Sequence, residues 1–197
     1  MGFGTYLANG FKALAFKKEA VAAIRDEPLS FKRSLILTAI IAILVGFAVS
    51  ATVAVLAVIG DNFSSIISLL VGVAAAIGVF VFTLIGAGIT HLIARLFGGI
   101  ASIKQYYAVW LASGFAVGVM NIPAMILGLI PILGVIISIA FGVYALCVSV
   151  FAIRETYTLS TFRAIMVVLV PLVVLGALLF LLMLPLILSI ASMPPGR

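Results

Sequence analysis

Residues 35–59 read LILTAIIAILVGFAVSATVAVLAVI, and these 25 uncharged positions decide the fold. A membrane-crossing helix needs roughly 20 apolar residues at a rise of about 1.5 Å each. Lys32 and Arg33 stand just before the run and Gly60-Asp61-Asn62 just after it. It is therefore a span with a basic end and a short turn. Similar runs follow at about 64–91, 105–129, 132–153 and 162–191. The expected fold is all-α: a polytopic five-helix transmembrane bundle over residues 34–192. A cytoplasmic amphipathic segment (1–33) precedes it and an external tail (193–197) follows. The second run would measure about 42 Å, longer than the core, so it tilts or projects.

Composition agrees. Of 197 residues, 66% are hydrophobic and 8% charged, against about 25% charged in a soluble domain. Sixteen charges cannot coat a water-facing surface, which excludes a soluble enzyme, a nucleic-acid-binding domain, a disordered chain and a disulfide scaffold. The single Cys147 permits no intrachain disulfide. No cleavable signal is expected, because the first apolar run starts late and is too long. Met1-Gly2 lacks the Ser or Thr at position 6 that myristoylation wants.

The basic residues set the orientation. Six precede the first span: Lys12, Lys17, Lys18, Arg25, Lys32 and Arg33. Arg95 and Lys104 flank the second-to-third connection, and Arg154 and Arg163 the fourth-to-fifth. The other connections have none. Five spans put ten of eleven basic residues on one side. The N-terminus is expected in the cytoplasm and the C-terminus outside a cell membrane. These ten form the candidate face for lipid headgroups or a partner.

Within the first segment, Phe3, Leu7, Phe11 and Leu14 recur at helical spacing with Lys12, Lys17 and Lys18 around the other side. The favoured reading is an amphipathic helix lying among headgroups. The competing one is a lead-in packed on the bundle.

The candidate polar residues are His91, Asn121 and Glu155. His91 closes the second span, where a helix C-terminus suits it; a proton relay or headgroup contact is the functional alternative. Asn121 and Pro123 mark an expected kink rather than a helix end. Glu155 is expected to pair with Arg95, Lys104 or Arg163. Asp61 would cap the following helix, and Asn62-Phe63-Ser64 is a glycosylation acceptor discounted for abutting the membrane. Small residues at spacing four (Gly46 with Ser50, Gly114 with Gly118, and Gly134, Ser138 and Gly142) are expected to pack helices closely within the bundle.

No catalytic residues, metal ligands or cofactor are expected. One histidine cannot make a zinc protease site. There is no phosphate-binding loop, no serine elbow and no acid pair in the bundle.

The order of four stretches resembles the YIP-domain (Ypt-interacting protein) family. They are Ile24–Phe31 with Pro28; Phe97–Tyr106 with Gly98, Gly99 and Gln105; Asn121-Ile-Pro123 with Ile130–Gly134 and Pro131; and Tyr144 followed by Thr156–Ala164, with Ser160 and Arg163, leading to Pro171. The resemblance implies a multi-pass membrane protein with a cytoplasmic N-terminus. Eukaryotic members are associated with vesicle traffic and Rab-type GTPases. The short start here points to a prokaryotic member without Rab binding.

The expected function is non-enzymatic: organising membrane or recruiting partners through the basic face. The alternative is a small-solute transporter or permease subunit. Expected partners are the bilayer, anionic headgroups, and a second copy or another membrane protein, with no nucleic acid.

Overall fold

The computed structural model describes residues 1–60, 65–127 and 130–191, which form seven α-helices and no strand. They are α1 (Phe3–Leu14), α2 (Lys18–Arg25), α3 (Ser30–Gly60), α4 (Ser65–Leu96), α5 (Ile103–Leu127), α6 (Pro131–Tyr157) and α7 (Thr161–Ala191). Asp61, Asn62, Ser64 and the tail 193–197 lie outside the described residues. Three helical stretches are long and apolar enough to cross a membrane: Ser30–Val55, Ile66–Leu96 and Ile132–Tyr157, with Thr161–Val174 a shorter apolar helix. α5 is less apolar because Lys104, Gln105, Tyr106, Tyr107, Ser113 and Asn121 all lie on it.

The helices overrun the expected loops at the basic end. α3 already includes Lys32 and Arg33, α4 runs through His91 to Leu96, and α6 carries Arg154 and Glu155 to Tyr157. A 32-residue helix such as α4 is about 48 Å long at 1.5 Å per residue. That exceeds the ~30 Å hydrocarbon core, so continuing the helix satisfies the backbone across the interface and beyond it. α5 also continues through Pro123 to Leu127, as expected of a kink rather than an end. Pro131 opens α6 at a first-turn position, where its missing N–H costs nothing. Pro171 and Pro185 both lie inside α7.

In the N-terminal segment, α1 takes the packed arrangement of the competing reading. It packs along α5, with Tyr6, Asn9, Gly10, Ala13 and Leu14 buried. The reason is close approach: a Cβ at Gly10 would stand 2.5 Å from the Ala112 carbonyl oxygen. Tyr6 Oη donates to the Ala108 carbonyl at 2.9 Å, and Tyr144 Oη to the Leu14 carbonyl at 2.9 Å. Of the large side chains that suggested the apolar face, Leu14 is buried, while Phe3 and Phe11 are 38% and 39% exposed. After Leu14 the chain reverses at Phe16, and α2 returns along α5 and α6. The pair is a helical hairpin laid on the bundle.

α3 and α4 meet through small residues. A Cβ on Gly46 would lie 2.6 Å from the Gly72 carbonyl oxygen, and one on Gly72 would lie 2.6 Å from the Gly46 carbonyl oxygen and from Ser50 Cβ. The expected role of Gly46 and Ser50 holds. Gly114, Gly118 and Gly142 differ: a Cβ at any of them meets nothing within 4 Å. Gly114 and Gly118 line an open cavity of about 410 Å³ with Ile41 of α3 and Thr83 of α4 rather than touching a neighbouring backbone.

Candidate functional site

The basic end of the bundle is built on four fully buried tyrosines: Tyr6, Tyr106, Tyr107 and Tyr157, none more than 2% exposed. Burying a phenol is favourable only when its hydroxyl keeps a partner. Tyr107 Oη lies 2.6 Å from Thr38 Oγ1, whose hydroxyl donates to the Ser34 carbonyl. Tyr157 Oη lies 2.7 Å from His91 Nδ1, and its ring packs on Tyr106 with centroids 5.4 Å apart. Burial pushes the Tyr6 phenol well above the usual tyrosine range, so it stays a donor at any physiological pH. His91 is thereby a half-buried partner of Tyr157.

Around this core, the helix ends turn sharply. Gly98 adopts φ +89. Its N–H donates to the Arg95 carbonyl and that of Gly99 to the Ala94 carbonyl, at 3.0 and 2.9 Å, closing α4 with a Schellman motif. A Cβ at Gly99 would fall 2.8 Å from Tyr157 Cδ1. The paired glycines thus have separate reasons: one a left-handed backbone, the other ring contact. Ser102 and Gln105 then start α5 with a capping box. Gln105 Oε1 accepts from the Ser102 N–H at 2.9 Å, and Ser102 Oγ from the Gln105 N–H at 3.3 Å. Ser160 Oγ accepts from the Arg163 N–H at 3.4 Å at the start of α7. Phe16 (φ 55) and Thr158 (φ 56) are left-handed without being glycine, and sequence reading missed both. A bulky residue in that region is strained. Phe16 is held there by edge-on contact with Tyr144 and Phe151, at 6.3 and 5.3 Å between centroids.

The ten basic residues separate into two classes. Each of the five arginines among them is engaged. Arg25 pairs with Asp26 at 2.7 Å and donates to the Glu155 carbonyl at 3.1 Å. Arg33 pairs with Glu27 at 3.1 Å. Arg95 donates to the Gly99 carbonyl and Arg163 to the Phe97 carbonyl, at 3.4 and 3.3 Å. Arg154 pairs with Glu155 at 2.6 Å. The expectation that Glu155 would reach Arg95, Lys104 or Arg163 is corrected: adjacent on the last turn of α6, Arg154 satisfies it locally. Neighbouring guanidinium groups hold the Asp26 and Glu27 carboxyls below the ordinary range.

The lysines are different. Lys12, Lys17, Lys18, Lys32 and Lys104 are all exposed, and none of their ammonium groups has a hydrogen bond or ion pair among the described residues. Lys104 Nζ lies 5.9 Å over the Phe31 ring. Lys32 and Lys104 line a polar cleft of about 420 Å³ between the α2–α3 turn and the start of α5, whose wall includes Asp26, Pro28 and Gln105. Asn121 and Pro123 lie far along α5 and do not join this site. No group of three potential metal ligands occurs among the described residues. The tyrosine core had one legible trace in the sequence: interfacial tyrosines gather at membrane boundaries, and four of the chain's five flank these helix ends.

Comparison with curated proteins and with solved structures finds no match. The Yip1 domain family model matches residues 11–183. That range runs from the hairpin into α7 and takes in all four stretches that carried the resemblance, so the chain belongs to the Yip1 domain family.

Proposed function

We propose that the protein is a non-enzymatic, five-span membrane protein that organises membrane or recruits partners through its lysines on the cytoplasmic side. The spans are α3 to α7, with the hairpin docked on the cytoplasmic end and the C-terminus outside a cell membrane. The observation that carries this reading is the division among the cations. Arginines are consumed in holding helix ends together, while all five lysines are left in solvent. An ammonium on a flexible stem suits loose, salt-sensitive contact with anionic surfaces. The cleft beside Lys32 and Lys104 gives such a contact a shaped wall. The larger cavity, about 550 Å³ between α6 and α7, is mainly apolar, which favours this reading over solute transport.

Crosslinking from the cleft in native membranes tests the proposal. Capture by a photoreactive group at Lys32 should be lost when Lys104 is replaced by Gln. Equal capture from both proteins would remove the cleft from the reading. A reporter at residue 197 should be external, and a cytoplasmic one would overturn the topology. Self-association through the exposed Gly114 and Gly118 is tested by crosslinking in the same membranes.

A further inference from the structure

The cavity between α6 and α7 differs from the polar cleft. It holds about 550 Å³. Its lining is mainly apolar, with Leu146, Val150, Ile165 and Leu169 among it, and its two cations are Lys18 of the hairpin and Arg154 of α6. Leu146, Ile165 and Leu169 are each 37–42% exposed, so the cavity is open along its length to whatever surrounds the bundle. Phe16, strained into its left-handed turn, closes the hairpin side. We propose that this cavity is a binding site for one anionic phospholipid, its acyl chain between α6 and α7 and its phosphate against Lys18 and Arg154.

The charge arrangement selects the occupant. An acyl chain moving from bilayer to groove leaves one apolar medium for another, so the chain itself supplies little preference. Discrimination must come from the headgroup. Arg154 already shares its charge with Glu155, through Nε at 2.9 Å and Nη2 at 2.6 Å, and its Nη1 reaches Thr161 Oγ1 at 3.4 Å. Lys18 has no such partner among the described residues, so it supplies the uncompensated charge that distinguishes an anionic lipid from a zwitterionic one. Basic pockets between membrane helices at a headgroup level are where such lipids are held. The site also has a consequence for the fold. Lys18 belongs to the hairpin and the groove to the bundle, so an occupant bridging them stabilises the docked hairpin by mass action. This proposal rests on the proposed function for the placement of this end at a headgroup layer and for the solvent-facing Lys18; the cleft residues Lys32 and Lys104 do not line this cavity.

Native mass spectrometry of the full chain in mild detergent, titrated with phosphatidylglycerol or phosphatidylcholine, tests it. The wild-type chain should retain one phosphatidylglycerol in preference to phosphatidylcholine. Lys18→Gln should weaken that retention about fivefold, the worth of one surface cation at a headgroup, and Lys18→Arg should restore it. Leu146→Trp fills the groove at an exposed position without altering charge and should abolish retention. Lys12→Gln, also exposed but outside the cavity, should leave retention unchanged. Equal losses for Lys12→Gln and Lys18→Gln, undiminished retention by Leu146→Trp, or equal retention of the two lipids would each overturn the site.

Discussion

The two ends of this bundle are packed by opposite rules. At the basic end, a cluster of large side chains is buried, Tyr6, Tyr106, Tyr107, Tyr157, Ile24 and Val109, although Leu96, Ile100 and Phe162 around it stay exposed. Towards the other end large side chains point outward. Phe47 and Phe82 are 75% exposed, while Gly46 and Gly72 bring two backbones into contact. The solvent explains the inversion. In water, burying a large apolar side chain is the main driving force. In lipid that force vanishes, because the surroundings are as apolar as the side chain, and close approach of small residues takes over. The basic end is therefore built as a protein that meets water and headgroups, and the rest as one that meets hydrocarbon.

The sharpest way to break that comparison is to truncate one aromatic at each end. Tyr157→Ala should cost about 3–5 kcal/mol, seen as a large fall in thermal stability in detergent. Phe82→Ala should stay within about 0.5 kcal/mol, as at an ordinary surface position. Comparable losses would mean the two ends share one packing rule. The converse exchange adds bulk instead. Gly72→Leu should cost at least about 1–3 kcal/mol by prising α3 from α4, whereas Gly78→Leu, where a Cβ meets nothing within 4 Å, should be tolerated. Denaturant titration in mixed micelles distinguishes them.

A smaller effect tests how the hairpin is held. Tyr6→Phe leaves the Ala108 carbonyl without its side-chain donor and should cost about 1 kcal/mol, read as faster hydrogen exchange across α1 with the far helices unchanged. The smallest effect is on pH. Asp26 and Glu27 carry carboxyls held below the ordinary range by Arg25 and Arg33. A depressed acid stabilises the fold above its unfolded value, and that contribution is lost as pH falls through the lowered one. The hairpin should therefore loosen only below about pH 4, with hydrogen exchange rising first around residues 25–33. Loosening between pH 5 and 7 would point away from these carboxylates.

Much of the basic face was legible in the sequence because positive charge is excluded from the hydrocarbon and has to gather at its edges. Gly98 and Gly99 were also visible as a pair. What each does was not, because the ring that forbids a side chain at Gly99 comes from Tyr157, some sixty positions away. How the hairpin docks was not legible for a related reason. Periodicity finds the face with the largest apolar side chains, Phe3, Leu7, Phe11 and Leu14, and of these Leu14 is buried, but the closest approach comes through Gly10, which periodicity does not weigh. Nor could periodicity tell that Gly114 and Gly118 border an open cavity while Gly46 touches a partner backbone, since both carry the same spacing.

By itself the sequence determined that this chain is a helical membrane protein of the Yip1 domain family with its charge gathered at the helix ends. Transfer of charged groups into hydrocarbon is costly enough to be read residue by residue, without neighbours. Only the tertiary structure decided which cations are consumed and which remain in solvent. Arg163 meets the Phe97 carbonyl and Arg25 that of Glu155 across long stretches of chain, while Lys18 is left lining a groove between α6 and α7. Hydrogen bonds depend on distance and angle, and those are set by how the helices pack.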